Sequence, residues 1–123
     1  MPLRILVADD SDFWRDTLRT ILERDCGCVV FEARDGSEAV QKSNWLQPNM
    51  VILDFCMPGL SGLGAARELR ARMPKVPVLM VTVDKCLVLE EAARQAGIVA
   101  VFSKLEYREL CNFVHGQLHA NAA

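Results

Sequence analysis

Five short apolar runs, at residues 4–8, 28–33, 50–54, 77–82 and 98–103, limit what this chain can fold into. They are rich in Val, Ile and Leu, and none alternates strictly between apolar and polar side chains. A strand with one wet face alternates, whereas a strand covered on both faces does not, as in a parallel sheet between two layers of helices. The segments between the runs read as helices. Phe13, Trp14, Thr17, Leu18, Ile21 and Leu22 fall at helical spacing behind Ser11 or Asp12 as N-cap, and Gly27 supplies the stop. A second helix is predicted from Ser37 to about Asn44, ahead of Pro48. A third starts near Gly62 and carries Leu63, Ala66, Leu69 and Met73 up to Pro74. A fourth covers 87–95 with Gly97 as its breaker, and the last runs over about 107–118 with Leu110, Phe113 and Val114 facing inward. Ala120-Asn121-Ala122-Ala123 reads as a frayed tail. Because parallel crossovers are right-handed, five strand–helix alternations give one doubly wound α/β domain over residues 1–123.

Ligands of such sheets bind outside the carboxyl ends of the strands, and here those ends are polar. Asp9 and Asp10 follow the first run, Asp54 closes the third, Thr82 the fourth, and Lys104 follows the fifth. A carboxylate at the exit of a buried strand is costly to desolvate, so compensating chemistry is expected beside it. Three carboxylates in one pocket repel one another unless a cation joins them, and oxygen-only ligands favour Mg²⁺. A carboxylate beside Mg²⁺ can act as a nucleophile toward a phosphoryl group, giving an aspartyl phosphate. The remaining needs are positioning and charge neutralisation, for which Lys104 offers a point charge and Thr82 a hydroxyl. Each residue alone has an ordinary reading: a helix cap, a strand exit, a strand terminus, a surface lysine. Their placement at one sheet edge carries the functional reading.

Composition narrows the alternatives. Half the residues are apolar and the net charge is only -2, so no broad basic surface advertises nucleic-acid binding. The apolar runs are too short to span a bilayer, and Met1-Pro2-Leu3-Arg4 does not resemble a signal peptide, so a cytoplasmic protein is expected. The five cysteines, at 26, 28, 56, 86 and 111, match no disulfide framework or zinc spacing and are expected to be unpaired and mostly buried. Trp14 and Trp45 are expected to pack rather than to form a binding platform. His115 and His119 have a helical spacing that can chelate a metal, but the tail that carries them is expected to fray, so metal binding is not expected there.

The set Asp9-Asp10, Asp54 with Met57-Pro58-Gly59 and Gly62, Thr82, and Lys104 resembles the receiver domain of bacterial two-component response regulators. The resemblance covers essentially the whole chain. It implies a flavodoxin-like (βα)5 fold with a five-stranded parallel sheet in the order 2-1-3-4-5. It further implies that Asp54 accepts phosphate from a histidine kinase or a phosphotransfer protein. Asp9, Asp10, Asp54 and the backbone carbonyl of Cys56 would hold Mg²⁺, and Thr82 and Lys104 would bind the phosphoryl group. Output would pass through contacts with an effector protein, as a monomer or a weak phosphorylation-linked dimer using Leu87, Val88, Leu89 and Tyr107.

Three positions depart from the family pattern. Leu105 follows Lys104 where a cis-linked proline is common, and a cis bond before a non-proline residue would cost about 2.5–4 kcal/mol. Val101 stands where Tyr or Phe usually acts as a rotameric switch, while Phe102 should point to the other face. Val83 replaces a small residue and could crowd the phosphoryl pocket. These departures support a rival reading, a phosphate-independent interaction module of the same fold. A flavin carrier would need phosphate-cradling amides and hydroxyls where Asp9-Asp10-Ser11-Asp12 stands, and an aspartate-dependent phosphatase would want an acid at Cys56.

Overall fold

The computed structural model describes residues 2–122, with side chains as far as residue 117. Strands and helices alternate: β1 (Arg4–Ala8), α1 (Asp12–Cys26), β2 (Val29–Ala33), α2 (Gly36–Leu46), β3 (Met50–Asp54), α3 (Gly62–Arg72), β4 (Val78–Thr82), α4 (Leu87–Gln95), β5 (Ala100–Ser103) and α5 (Tyr107–Ala122). The sheet is parallel throughout, in the order β2-β1-β3-β4-β5. This is the flavodoxin-like doubly wound fold expected from the sequence.

β3 and β4 are buried at every position and β1 at all but its first, which is why their sequences do not alternate. Successive side chains instead feed two cores. Leu6, Ala8, Val51, Leu53 and Met80 meet α2, α3 and α4 through Ala39, Val40, Ala66, Leu69, Leu89 and Ala93. Ile5, Val7, Met50, Ile52, Leu79 and Val81 meet α1 and α5 through Leu18, Leu22, Leu110 and Val114. Burying side chains of this kind stabilises the fold by about 1.5–3 kcal/mol each.

Helix ends follow local chemistry. Ser11 caps α1 by accepting the Trp14 N–H, and Gly27 ends it in the left-handed region at φ 65°. Ser61 caps α3 by accepting the Gly64 N–H at 3.1 Å.

Several side chains depart from the sequence-based expectation. The inner face of α1 buries Arg15 and Cys26 beside Leu18 and Leu22, while Phe13 is 69% exposed. Trp45, expected to pack, is likewise 69% exposed near the end of α2. All five cysteines are free, but Cys56 and Cys86 are exposed, because they lie in loops at the sheet edge rather than under a helix. α5 continues to Ala122, through most of the stretch read as frayed. Residue 123 and the His119 side chain lie outside the described residues. Among the described residues no helix is long and apolar enough to cross a membrane.

Candidate functional site

Parallel strands in register end together, so the polar residues at their carboxyl ends converge. Asp54 is the last residue of β3, paired with Val81, and Thr82 is the last of β4, paired with Ser103. Asp9 and Asp10 follow β1, and Lys104 follows β5. Gly62 lets the start of α3 approach this edge: a Cβ there would stand 2.4 Å from the Asp54 carbonyl oxygen.

One carboxylate oxygen from each of Asp9, Asp10 and Asp54 lies within 4.8 Å of the others. Asp9 and Asp54 are buried and Asp10 is exposed, so the cluster opens to solvent on one side. The Lys104 Nζ sits 2.8 Å from Asp9 Oδ2 and 3.4 Å from Asp54 Oδ1. It also lies 5.2 Å from the centroid of the Trp14 ring, whose face attracts a cation. Trp14 in turn packs against Tyr107, with ring centroids 6.0 Å apart.

The charges do not balance. Burial, reinforced by the Asp9 carboxylate, pushes Asp54 up to about 6, against the pull of Lys104 and of the Cys56 N–H that donates to it. Asp9 Oδ1 accepts the Ser11 N–H at 2.9 Å, but the buried Oδ2 has no hydrogen bond and meets only the Lys104 charge. Three clustered carboxylates that share one lysine charge form a donor set that fits a small hard divalent cation.

Thr82 and Cys56 line the same depression as Asp54 and Lys104, and the Thr82 carbonyl accepts the Lys104 N–H at 2.8 Å. All six residues singled out in the sequence therefore gather at one edge. Val83 is 70% exposed at the rim of the depression, so it borders the pocket rather than filling it. Val101 packs with the α2–α4 core, while Phe102 faces the other core with its ring 6.0 Å from Phe113. The Lys104–Leu105 peptide is trans. His115 is elsewhere, with Nε2 3.0 Å from the Asp25 carbonyl oxygen.

Sequence reasoning missed the surroundings of Lys104 and of the acidic turn. Trp14 faces the lysine, and Arg15 is buried beneath Asp9, its Nη1 donating to the Asp9 carbonyl at 2.6 Å. The available signal for Arg15 was its position on the inward stripe of α1, four residues before Arg19 and three before Leu18.

Comparison with known proteins identifies the family. Residues 5–115 match the response regulator receiver domain, and the chain belongs to that family. It is 42% identical over 106 residues to a protein-glutamate methylesterase/protein-glutamine glutaminase of Myxococcus xanthus, covering 84% of this chain but 30% of that protein. A protein of the same description from Symbiobacterium thermophilum is 49% identical over 82 residues, covering 66% of this chain and 22% of the relative. The chain thus spans less than a third of the length of these relatives. Among solved structures, a LuxR-family two-component response regulator from Aurantimonas superposes with a TM-score of 0.90 at 27% identity, covering 98% of this chain and 87% of the other. A CheY-like receiver domain protein from Methanospirillum hungatei gives 0.89 at 25% identity, covering 98% and 96%.

Proposed function

We propose that this receiver domain is a phosphorylation switch whose phosphoacceptor is Asp54. The carrying observation is the cluster of Asp9, Asp10 and Asp54, two of them buried, with the Lys104 ammonium between the buried pair. Asp9, Asp10, Asp54 and the Cys56 carbonyl would hold Mg²⁺, which when bound neutralises charge on the carboxylates and on a phosphoryl group. Asp54 attacks phosphorus in a phosphohistidine of a kinase or phosphotransfer protein. The new O–P bond forms as the P–N bond breaks and the imidazole leaves. Lys104 then gains a phosphoryl oxygen as partner, and the Thr82 hydroxyl donates to another.

Output runs through protein contacts, in a cytoplasmic setting. Leu87 and Val88, both more than 80% exposed at the start of α4, offer an apolar surface for an effector or for a weak phosphorylation-linked dimer. The relatives are named for methylesterase and glutaminase activity, and this chain matches less than a third of each. A covalently attached or separate enzyme of that kind is one effector this domain could serve. The phosphate-independent reading keeps one specific support: Val101 is packed into a core and offers no aromatic switch.

Tryptophan fluorescence separates the two. In a Trp45→Phe background Trp14 reports alone, and Mg²⁺ followed by beryllofluoride should each change its emission. The second change should vanish in Asp54→Asn. No response to either ligand would favour the phosphate-independent module.

A further inference from the structure

Asp9 has four polar atoms, and the fold fixes each. Its N–H donates to the Ala33 carbonyl at 3.1 Å, its Oδ1 accepts the Ser11 N–H, and its Oδ2 meets Lys104. Its carbonyl accepts Arg15 Nη1 at 2.6 Å. That carbonyl belongs to the peptide plane shared with Asp10, so whatever holds it also fixes where the Asp10 Cα stands.

Arg15 is only 7% exposed, an unusual burial for an arginine, and each arm of its guanidinium is engaged. Nη1 holds the Asp9 carbonyl, Nε donates to Glu32 Oε1 at 3.0 Å, and Nη2 pairs with Asp12 in the first turn of α1. Glu32 is itself held from the other side by Arg19 at 2.7 Å. The planar fork therefore ties the acidic turn to β2 and to α1 at once, a geometry that a point-charge ammonium cannot reproduce.

We infer that Arg15 is a positioning residue for the cation site: it fixes the Asp9–Asp10 peptide so that both carboxylates converge with Asp54. This inference rests on the proposed Mg²⁺-binding reading of the site. It differs in sign from a plain electrostatic role. Removing a positive charge near a cation site should tighten cation binding by Coulomb's law. Loss of an outer partner that orients the ligands should weaken it, typically by about tenfold to a hundredfold.

The test is calorimetric titration of Mg²⁺ into the full chain, for the wild type, Arg15→Met, Arg15→Lys and Glu32→Gln. Affinities are compared well below each variant's melting transition, so that lost stability alone does not move them. The expected results are Mg²⁺ binding weakened about tenfold or more in Arg15→Met, and still clearly weakened in Arg15→Lys despite the retained charge. Glu32→Gln, which leaves Arg15 in place but weakens the hold on its Nε arm by removing the acceptor's charge, should show a smaller loss in the same direction and serves where Arg15→Met does not fold. Unchanged or tighter binding in Arg15→Met, or wild-type affinity in both Arg15→Lys and Glu32→Gln, would overturn the inference and leave the Mg²⁺ site standing. A wild-type chain that binds no Mg²⁺ would overturn both.

Discussion

Asp54 is a carboxylate that its surroundings push toward the protonated form, and this has a measurable cost. Its pKa is raised from 3.8 to about 6, chiefly by burial and then by Asp9. A carboxyl group whose folded pKa lies above its unfolded value favours the fold while protonated. That contribution is complete below the unfolded pKa of about 4 and is lost as pH rises through about 6. Asp54→Asn should therefore stabilise the metal-free protein by about 3 kcal/mol at pH 7, the gain shrinking to nothing below about pH 4. Chemical denaturation across that range in a chelating buffer checks both the sign and the window. Lys104 poses the complementary question, because its ammonium contacts two of the three carboxylates that would hold the metal. Unit charges about 4 Å apart interact by about 4 kcal/mol at a near-surface dielectric. Lys104→Met should therefore tighten Mg²⁺ by roughly tenfold or more in a calorimetric titration. It should at the same time abolish the further response to beryllofluoride. The acidic residues and the lysine were legible in the sequence because each ends an apolar run. Arg15 was harder to read, because an arginine on a helix is ordinarily solvated and only its place on the inward stripe of α1 pointed the other way.

At the scale of elements, the site depends on how closely α3 meets the end of β3. A methyl group at Gly62 would meet the Asp54 carbonyl oxygen at 2.4 Å, with the Phe55 Cα and the Met80 Cε at 3.1 Å. Two of these three atoms are backbone and can yield only if β3 or α3 shifts. Gly62→Ala should cost about 2 kcal/mol or more, lowering the melting temperature by roughly 10 °C, and should weaken Mg²⁺ binding through displacement of Asp54. A melting curve and a Mg²⁺ titration measure the two effects. The helices and strands themselves were readable from Ser11, Gly27, Pro74 and Gly97 as punctuation and from the non-alternating runs as buried strands. Exposure of individual apolar side chains was less readable. Phe13 falls at helical spacing and Trp45 was expected to pack at a helix end, yet both are largely exposed, because the sheet covers only one side of each helix.

For the whole molecule, topology does most of the functional work. Five parallel strands in register bring residues from positions 9 to 104 to one edge, and β1 and β3, which supply the carboxylates, are neighbours in the sheet. The order 2-1-3-4-5 could be expected from the resemblance carried by Asp9-Asp10, Asp54, Thr82 and Lys104, and the sheet bears it out. What lies downstream could not be read from one chain, because a partner's chemistry is not encoded in the residues that accept a phosphoryl group. The central claim, that Asp54 is the phosphoacceptor, is tested most directly by intact-protein and peptide mass spectrometry after incubation with Mg²⁺ and a small-molecule acyl phosphate. The account predicts a single added phosphoryl group on the peptide containing Asp54, absent when Mg²⁺ is chelated and absent in Asp54→Asn. Equal incorporation in Asp54→Asn, or none in the wild type, would contradict it.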